Sequence, residues 1–313
     1  MKYFLLLLFL GSQCFAQNAL NYRKAPFFTQ GTATQTAGAT KAANWAARVV
    51  ANGGSDPTGA ETVALATFWD GLVTDGIDTL MIHINHISTN SITACRTPFI
   101  VGGGNDPWVE VCGNNNTTTV SLTVNGVAGN AGNSITWDTG IVDSTAYASD
   151  DDGGMVMYIY TQVSESVYDF GYQNDALTAA FSFASNVGGT VVANLRSQVT
   201  GGIAVAPGGS LQGFWSMQRT GHTTFNLYFA NSGSAHASVS STATGESGAR
   251  QAQKFFVFGV HASDHGATSC TGFANPTKRY SFFGLTKGLT STQDSNLYNR
   301  VQTLRTSLGG GSR

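Results

Sequence analysis

The sequence is short of charge. Lys, Arg, Asp and Glu together make up 11% of the 313 residues, against about 25% in an ordinary soluble domain. The formal net charge of −2 offers no basic field for DNA, RNA or anionic lipid, and nucleic acid is not an expected partner. Glutamate is scarce: Glu61, Glu110, Glu165 and Glu246 are all there are, and no two are close in sequence. A paired-carboxylate glycosidase therefore has little to build on. Cys-x-x-Cys, His-Glu-x-x-His, the Walker loop and the Gly-x-Ser-x-Gly elbow are missing, which leaves zinc, nucleotide and serine-hydrolase chemistry without a signature. After the first sixteen residues no apolar run approaches the ~20 residues of a membrane-spanning helix. No repeat of fixed period appears, against a solenoid or propeller.

Glycine is plentiful, with 38 copies, and Thr, Ser, Asn and Ala are abundant. A surface made polar by hydroxyls and amides suits a turn-rich extracellular β protein. Residues 1–16, "MKYFLLLLFLGSQCFA", carry the marks of a secretory signal: Lys2, the apolar run Tyr3 to Leu10, and Cys14-Phe15-Ala16 as a cleavage site. Cleavage there predicts a secreted or cell-surface protein; retention predicts a hydrophobic anchor or, on a phage particle, an uncleaved virion protein. Cys95, Cys112 and Cys270 then remain, an odd number that permits one internal bridge. Cys95 with Cys112 is the expected pair, and Cys270 is an alternative partner for either.

Residues 17–39 read as a loose Thr/Gly-rich leader, followed by a single domain over 40–309. Two amphipathic helices open it, near 41–51 (Ala42, Trp45, Ala46, Val49 on one face) and near 60–75 (Leu65, Phe68, Trp69, Leu72), with Gly76 as stop signal. From Ile77 the period changes to two. "IDTLMIHINH", "TTVSLTVNG", "SITWDTG", "GMVMYIYTQV", "GFWSMQRTG", "TTFNLYFANSG", "KFFVFGVH" and "KRYSFFGL" are among some ten short runs rich in β-branched and aromatic residues, separated by turn residues. Without helices between them, such strands pair antiparallel in a sandwich. A last helix near 291–308 starts at Thr290-x-x-Gln293, a capping box, and lines up Leu297, Val301, Leu304 and Leu308. It is expected to pack over one side or end of the sandwich.

This order resembles the concanavalin A-like (laminin G-like) jelly-roll proteins encoded by tailed phages and prophages. The resemblance rests on "NGVAGNAGNSITWDTGI" before the long strands. It rests equally on the ending "RYSFFGLTKGLTSTQDSNLYNRVQTLRTSLG", carried by Phe283, Gly284, Leu289, Thr290, Gln293, Leu297, Tyr298, Val301, Leu304, Leu308 and Gly309. It covers about residues 40–309 and implies an all-β jelly-roll β-sandwich with an N-terminal helical hairpin and a C-terminal packing helix. It also implies a virion setting, from which the signal-like segment departs.

Binding residues are chosen by chemistry. A sugar site needs an exposed ring for the apolar face of a pyranose and amides or carboxylates for its hydroxyls. Trp108, in the Gly-rich stretch "GGGNDPWVE" beside Asn105 and Asp106, is the first expectation, and Tyr147 the second. Trp137, Trp215, Trp45 and Trp69 are expected in the core. Asp150, Asp151 and Asp152, with Asp143 upstream, form the one acidic cluster that could supply calcium with oxygens; a solvated edge is the alternative. His83 and His86 in "HINH" point to opposite faces of a strand, whereas His261, Asp264 and His265 in "VHASDHG" could share a loop. The functional expectation is a non-enzymatic glycan-binding or adhesion protein, secreted or virion-associated. A purely structural virion component that binds other virion proteins, and an unusual polysaccharide-degrading enzyme, are the alternatives.

Overall fold

A computed structural model describes residues 35–87, 91–110, 121–128, 136–149, 151–161, 168–173, 180–187, 190–197, 202–206, 211–231, 235–242, 252–258, 260–262, 270–271 and 278–310. The signal-like segment, nearly all of the leader, Cys112, Asp150, Asp264 and His265 lie outside these residues.

Helix α1 (Ala37–Ala51) begins inside the stretch read as leader, because the Thr36 hydroxyl accepts from the Ala39 amide and starts the helix early. Helix α2 (Gly59–Thr74) is capped the same way by Thr58, and Gly76 follows it at φ +68°. Strand β1 (Met81–His86) leads to a short helix α3 (Ile92–Arg96), which period-two patterning does not reveal. Then come β2 (Val109–Glu110), β3 (Ser121–Thr123), β4 (Gly126–Ala128), β5 (Trp137–Val142) and the one-turn α4 (Asp143–Ala146). The long run that follows holds β6 (Gly153–Thr161), β7 (Phe170–Gln173), β8 (Ala180–Val187), β9 (Thr190–Ser197), β10 (Ile203–Val205), β11 (Gly213–Gly221), β12 (Thr224–Asn231) and β13 (Ala237–Ser241). Strands β14 (Lys254–Val257), β15 (Val260–Ala262), β16 (Cys270–Thr271) and β17 (Arg279–Thr286) precede α5 (Ser291–Ser307).

The strands form two sheets packed as a β-sandwich. One runs β13-β12-β11-β6-β17-β4-β3, with β1 also on β17; the other runs β10-β9-β8-β7-β14-β5-β2, with β15 and β16 attached. Pairing is antiparallel except for the short β7–β15 contact. Sequence-distant β1 and β17 lie side by side, Ile84 opposite Gly284.

Side-chain alternation explains both layers of core. In β6, Met155, Met157 and Ile159 point between the sheets, while Val156 and Tyr158 point outward beneath the helices. Trp215 and Met217 in β11, and Phe283 and Leu285 in β17, face inward in the same way, with Phe214 and Phe282 facing out. "MVMYIY" is thus apolar at every position because both its faces are covered. From the other sheet Trp137, Phe170, Phe181, Phe183, Leu195 and Phe255 close the inner core.

Helices α1, α2 and α5 supply the outer layer through Trp45, Val49, Leu65, Phe68, Leu72, Leu297, Val301 and Leu304. Each such side chain contributes roughly 1.5–3 kcal/mol on burial. The capping box at Thr290 and Gln293 is formed as the sequence reads, and α5 lies over a side of the sandwich rather than its end. Among the described residues no helix is long and apolar enough to cross a membrane.

Candidate functional site

Trp108 is not a loop-edge ring. It is wholly buried, stacked on His83 with centroids 5.5 Å apart and in contact with Trp137 and Phe283. Its Nε1 donates to His83 Nε2 at 3.0 Å, and its backbone is clamped to Arg96 on both sides. No indole face is open to a sugar. Asn105 is used to brace β5 through the Asp138 carbonyl, and Asp106 accepts from Arg48 of α1 and from Asn52, which caps that helix. Tyr147 is buried as well, its hydroxyl on the Gly154 carbonyl and its ring under the Arg196 guanidinium at 4.2 Å. The expected binding group is scaffolding.

The acidic group is dispersed in the same way. Asp143 is 1% exposed and holds Arg196 through Nη2 at 2.7 Å and Nε at 3.1 Å, while Tyr172 donates to its other oxygen. Arg196, at φ +49°, also donates to the carbonyls of Ser149 and Asp152, so it fastens the acidic stretch by its backbone. The Asp152 carboxylate accepts from the Gly288 amide, and Asp151 meets His222 at the surface. Among the described residues no three His, Cys, Asp or Glu side chains converge on a metal position. His83 and His86 do take opposite faces of β1, His83 against Trp108 and His86 against Trp45 and Glu61. Cys95 is buried on α3.

A different surface collects hydrogen-bonding groups. Along α5, Asn296, Asn299, Arg300 and Thr303 follow the i, i+3, i+4, i+7 spacing and form one stripe facing the end of α2. With Asp75 they line an open pocket of about 270 Å³, just under the ~300–1,000 Å³ common for small-molecule sites. Asp75 grips Arg300 with both oxygens, at 2.8 and 3.0 Å. The hydrogen bond from Arg300 holds its carboxyl below the usual carboxylate range. The Arg300 stem lies against Gly71 of α2, where a Cβ would come within 2.7 Å of it. The groove continues past Arg300 and Thr303 towards Thr67, Ser307 and the edge of Phe68.

The helix carrying this stripe is anchored from beneath. Asp294 is completely buried, accepts from Ser216 of β11, and lies 2.8 Å from His236 Nε2. His236 is itself stacked between Tyr228 and Tyr298, at 5.7 and 5.5 Å. Gln218 extends the network to Thr286 and the Leu289 amide at the start of α5. The pocket wall is therefore fixed in position. Chemically, the pocket presents amides, a hydroxyl and a neutralised Asp–Arg pair. Asp75, held below the usual carboxylate range and engaged by Arg300, is unsuited to general acid work. The sequence carried this stripe, but the apolar face of the same helix drew the reading.

No family model and no curated protein matches the sequence. Solved structures do. The binding domain of Paraclostridial Mosquitocidal Protein 1 aligns with a TM-score of 0.45 at 10% identity, over 71% of this chain and 52% of that one. The Trypanosoma rangeli sialidase in complex with sialic acid aligns with a TM-score of 0.41 at 11% identity, over 72% and 34%. The chain thus spans about half the length of the first and a third of the second.

Proposed function

We propose that this protein is a non-enzymatic glycan-binding or adhesion protein, exported or carried on a virion, which takes a hydroxyl-rich ligand such as a cell-surface polysaccharide in the α2–α5 groove. The observation that carries this reading is the stripe Asn296, Asn299, Arg300 and Thr303 facing Asp75. Amides, a hydroxyl and a charge-compensated guanidinium are the groups that match neutral sugar hydroxyls by direct hydrogen bonds. An exposed aromatic platform is absent from this groove, so affinity for one sugar unit is low and useful adhesion comes from several copies or several units at once. Calcium has no part in the groove.

A glycan array probed with the purified protein tests the reading, with Arg300→Ala and Gly71→Leu as disabling variants and Trp108→Phe as a control outside the groove. Hydrogen bonds to charged groups contribute about 1.5–3 kcal/mol each, so Arg300→Ala should weaken binding at least about tenfold. Trp108→Phe and added chelator should leave affinity for the glycan unchanged. Equal affinity of Arg300→Ala and the parent protein sinks the groove as the site. Absence of any glycan hit, with recovery in a stable assembly with other virion proteins, would favour the structural role.

A further inference from the structure

Lys278 and Asp169 meet in the interior where the two sheets come together. Asp169 precedes β7 of one sheet and Lys278 precedes β17 of the other, and neither side chain has any solvent exposure. Lys278 Nζ lies 2.5 Å from Asp169 Oδ1. The Tyr280 hydroxyl donates to the same oxygen. Aromatic rings wall off the pair: Phe258 packs on Tyr280 at 4.5 Å and on Trp137 at 5.1 Å. The backbone is held too. Asp169 donates to the Phe183 carbonyl and accepts from the Phe258 amide, and Phe258 sits at φ +68°, a conformation bulky residues rarely adopt.

An ammonium and a carboxylate in such a place carry a large desolvation cost. Passing one proton from Nζ to Oδ1, the oxygen it touches, makes Lys278 an amine nucleophile beside the Asp169 carboxyl group. We propose that Lys278 and Asp169 condense into an intramolecular isopeptide bond that joins the two sheets covalently. The Nζ lone pair attacks Asp169 Cγ. Oδ2 takes the developing negative charge, while Oδ1, which carries the proton received from Nζ, is the leaving oxygen beside the Tyr280 hydroxyl. The amine then loses a second proton to the Oδ1 hydroxyl, the Cγ–Oδ1 bond breaks, Oδ2 becomes the amide oxygen, and water leaves. One ammonium and one carboxylate become one secondary amide and one water, with no oxidant or cofactor. Condensation in bulk water is unfavourable, but fixed contact raises effective concentration by about 10⁵–10⁸ M, and the interior keeps water from reversing it.

The bond goes beyond the binding reading and stands or falls apart from it. Peptide mapping and intact-mass spectrometry of the full denatured chain test it. The expected parent protein is one water lighter than its sequence, and its tryptic map contains a branched peptide joining the Asp169 and Lys278 segments. Lys278→Arg should restore the full mass. Asp169→Asn should form the same amide by releasing ammonia, giving a product of the same mass as the cross-linked parent. A folded parent protein of full sequence mass, with a linear tryptic peptide ending at Lys278 in full yield, overturns the proposal.

Discussion

Acidification should destabilise this protein through one buried imidazole. His83 Nδ1 lies 2.8 Å from the Val101 carbonyl, which only accepts, so Nδ1 carries the hydrogen. Trp108 Nε1 only donates, so His83 Nε2 must be bare to receive it. The neutral tautomer is fixed by its two neighbours. Protonation would set two donors face to face within a fully buried aromatic cluster, where the nearest charges, Arg48 and Asp106, act in opposite directions. Burial accordingly pushes the His83 pKa down to about 4, from 6.5. The sign follows from proton uptake. Between these two values the unfolded chain binds the proton and the folded one does not, so stability present above pH 6.5 is lost as pH falls. Linkage puts the loss at about 2 kcal/mol by pH 5 and about 3 kcal/mol by pH 4.

Urea unfolding at pH 7, 6, 5 and 4, followed by tryptophan fluorescence and far-ultraviolet circular dichroism, measures this directly. His83→Gln offers Trp108 an acceptor that does not titrate, so its stability curve should be flatter by that amount, whatever its stability at pH 7. Parallel loss of stability in the parent protein and His83→Gln from pH 6.5 to 4 would show that the reasoning is wrong. So would an imidazole resonance of His83 that titrates near 6.5 in the folded state.

Two further outcomes follow from the buried network and the helix cap. Asp143→Ala leaves the Arg196 guanidinium buried without its carboxylate and should cost about 3–5 kcal/mol. The double variant Asp143→Ala/Arg196→Met should cost less than the sum of the two single changes, and additivity in denaturant titrations would contradict the coupling. Thr290→Ala removes the hydroxyl that caps α5 and should cost about 1 kcal/mol, or about 2–4 °C in melting temperature for a domain of this size. An unchanged melting temperature would mean that packing alone holds the helix start.

The architecture was legible because its signals are local. Alternation in "GFWSMQRTG" and "RYSFFGL" separates inner from outer side chains, and Thr290 with Gln293 marks the start of α5 within four residues. The site was not legible, for a physical reason. "GGGNDPWVE" has the composition of an exposed loop, and its Trp is buried only because β1 places His83 beside it, a tertiary contact that spacing in sequence does not carry. The same holds for the acidic stretch. Asp143, Asp151 and Asp152 are near one another in the chain, yet their carboxylates go to Arg196, His222 and the Gly288 amide. Proximity along the chain says that charges are close; it does not say that they face one another.

These two failures have one cause, and it bears on where a ligand can bind. A chain with 11% charged residues has few groups with which to fix its loops. Here Asn105, Asp106, Asp143 and Asp152 are spent on that task, engaged with the Asp138 carbonyl, with Arg48 and Asn52, with Arg196 and with the Gly288 amide. Rings and carboxylates consumed in this way are not available to a ligand without undoing the fold. The outer face of the β11-β6-β17 sheet is likewise closed, because α1, α2 and α5 cover it. The helix layer is different. Its apolar faces are used up against the sheet, so its outward stripe of Asn296, Asn299 and Thr303 carries no packing duty, while Arg300 is held by Asp75 and lies against Gly71. Substitution in the loops should therefore read out as lost stability, and substitution of Asn296, Asn299 or Thr303 on the α5 stripe as lost binding with the melting temperature kept.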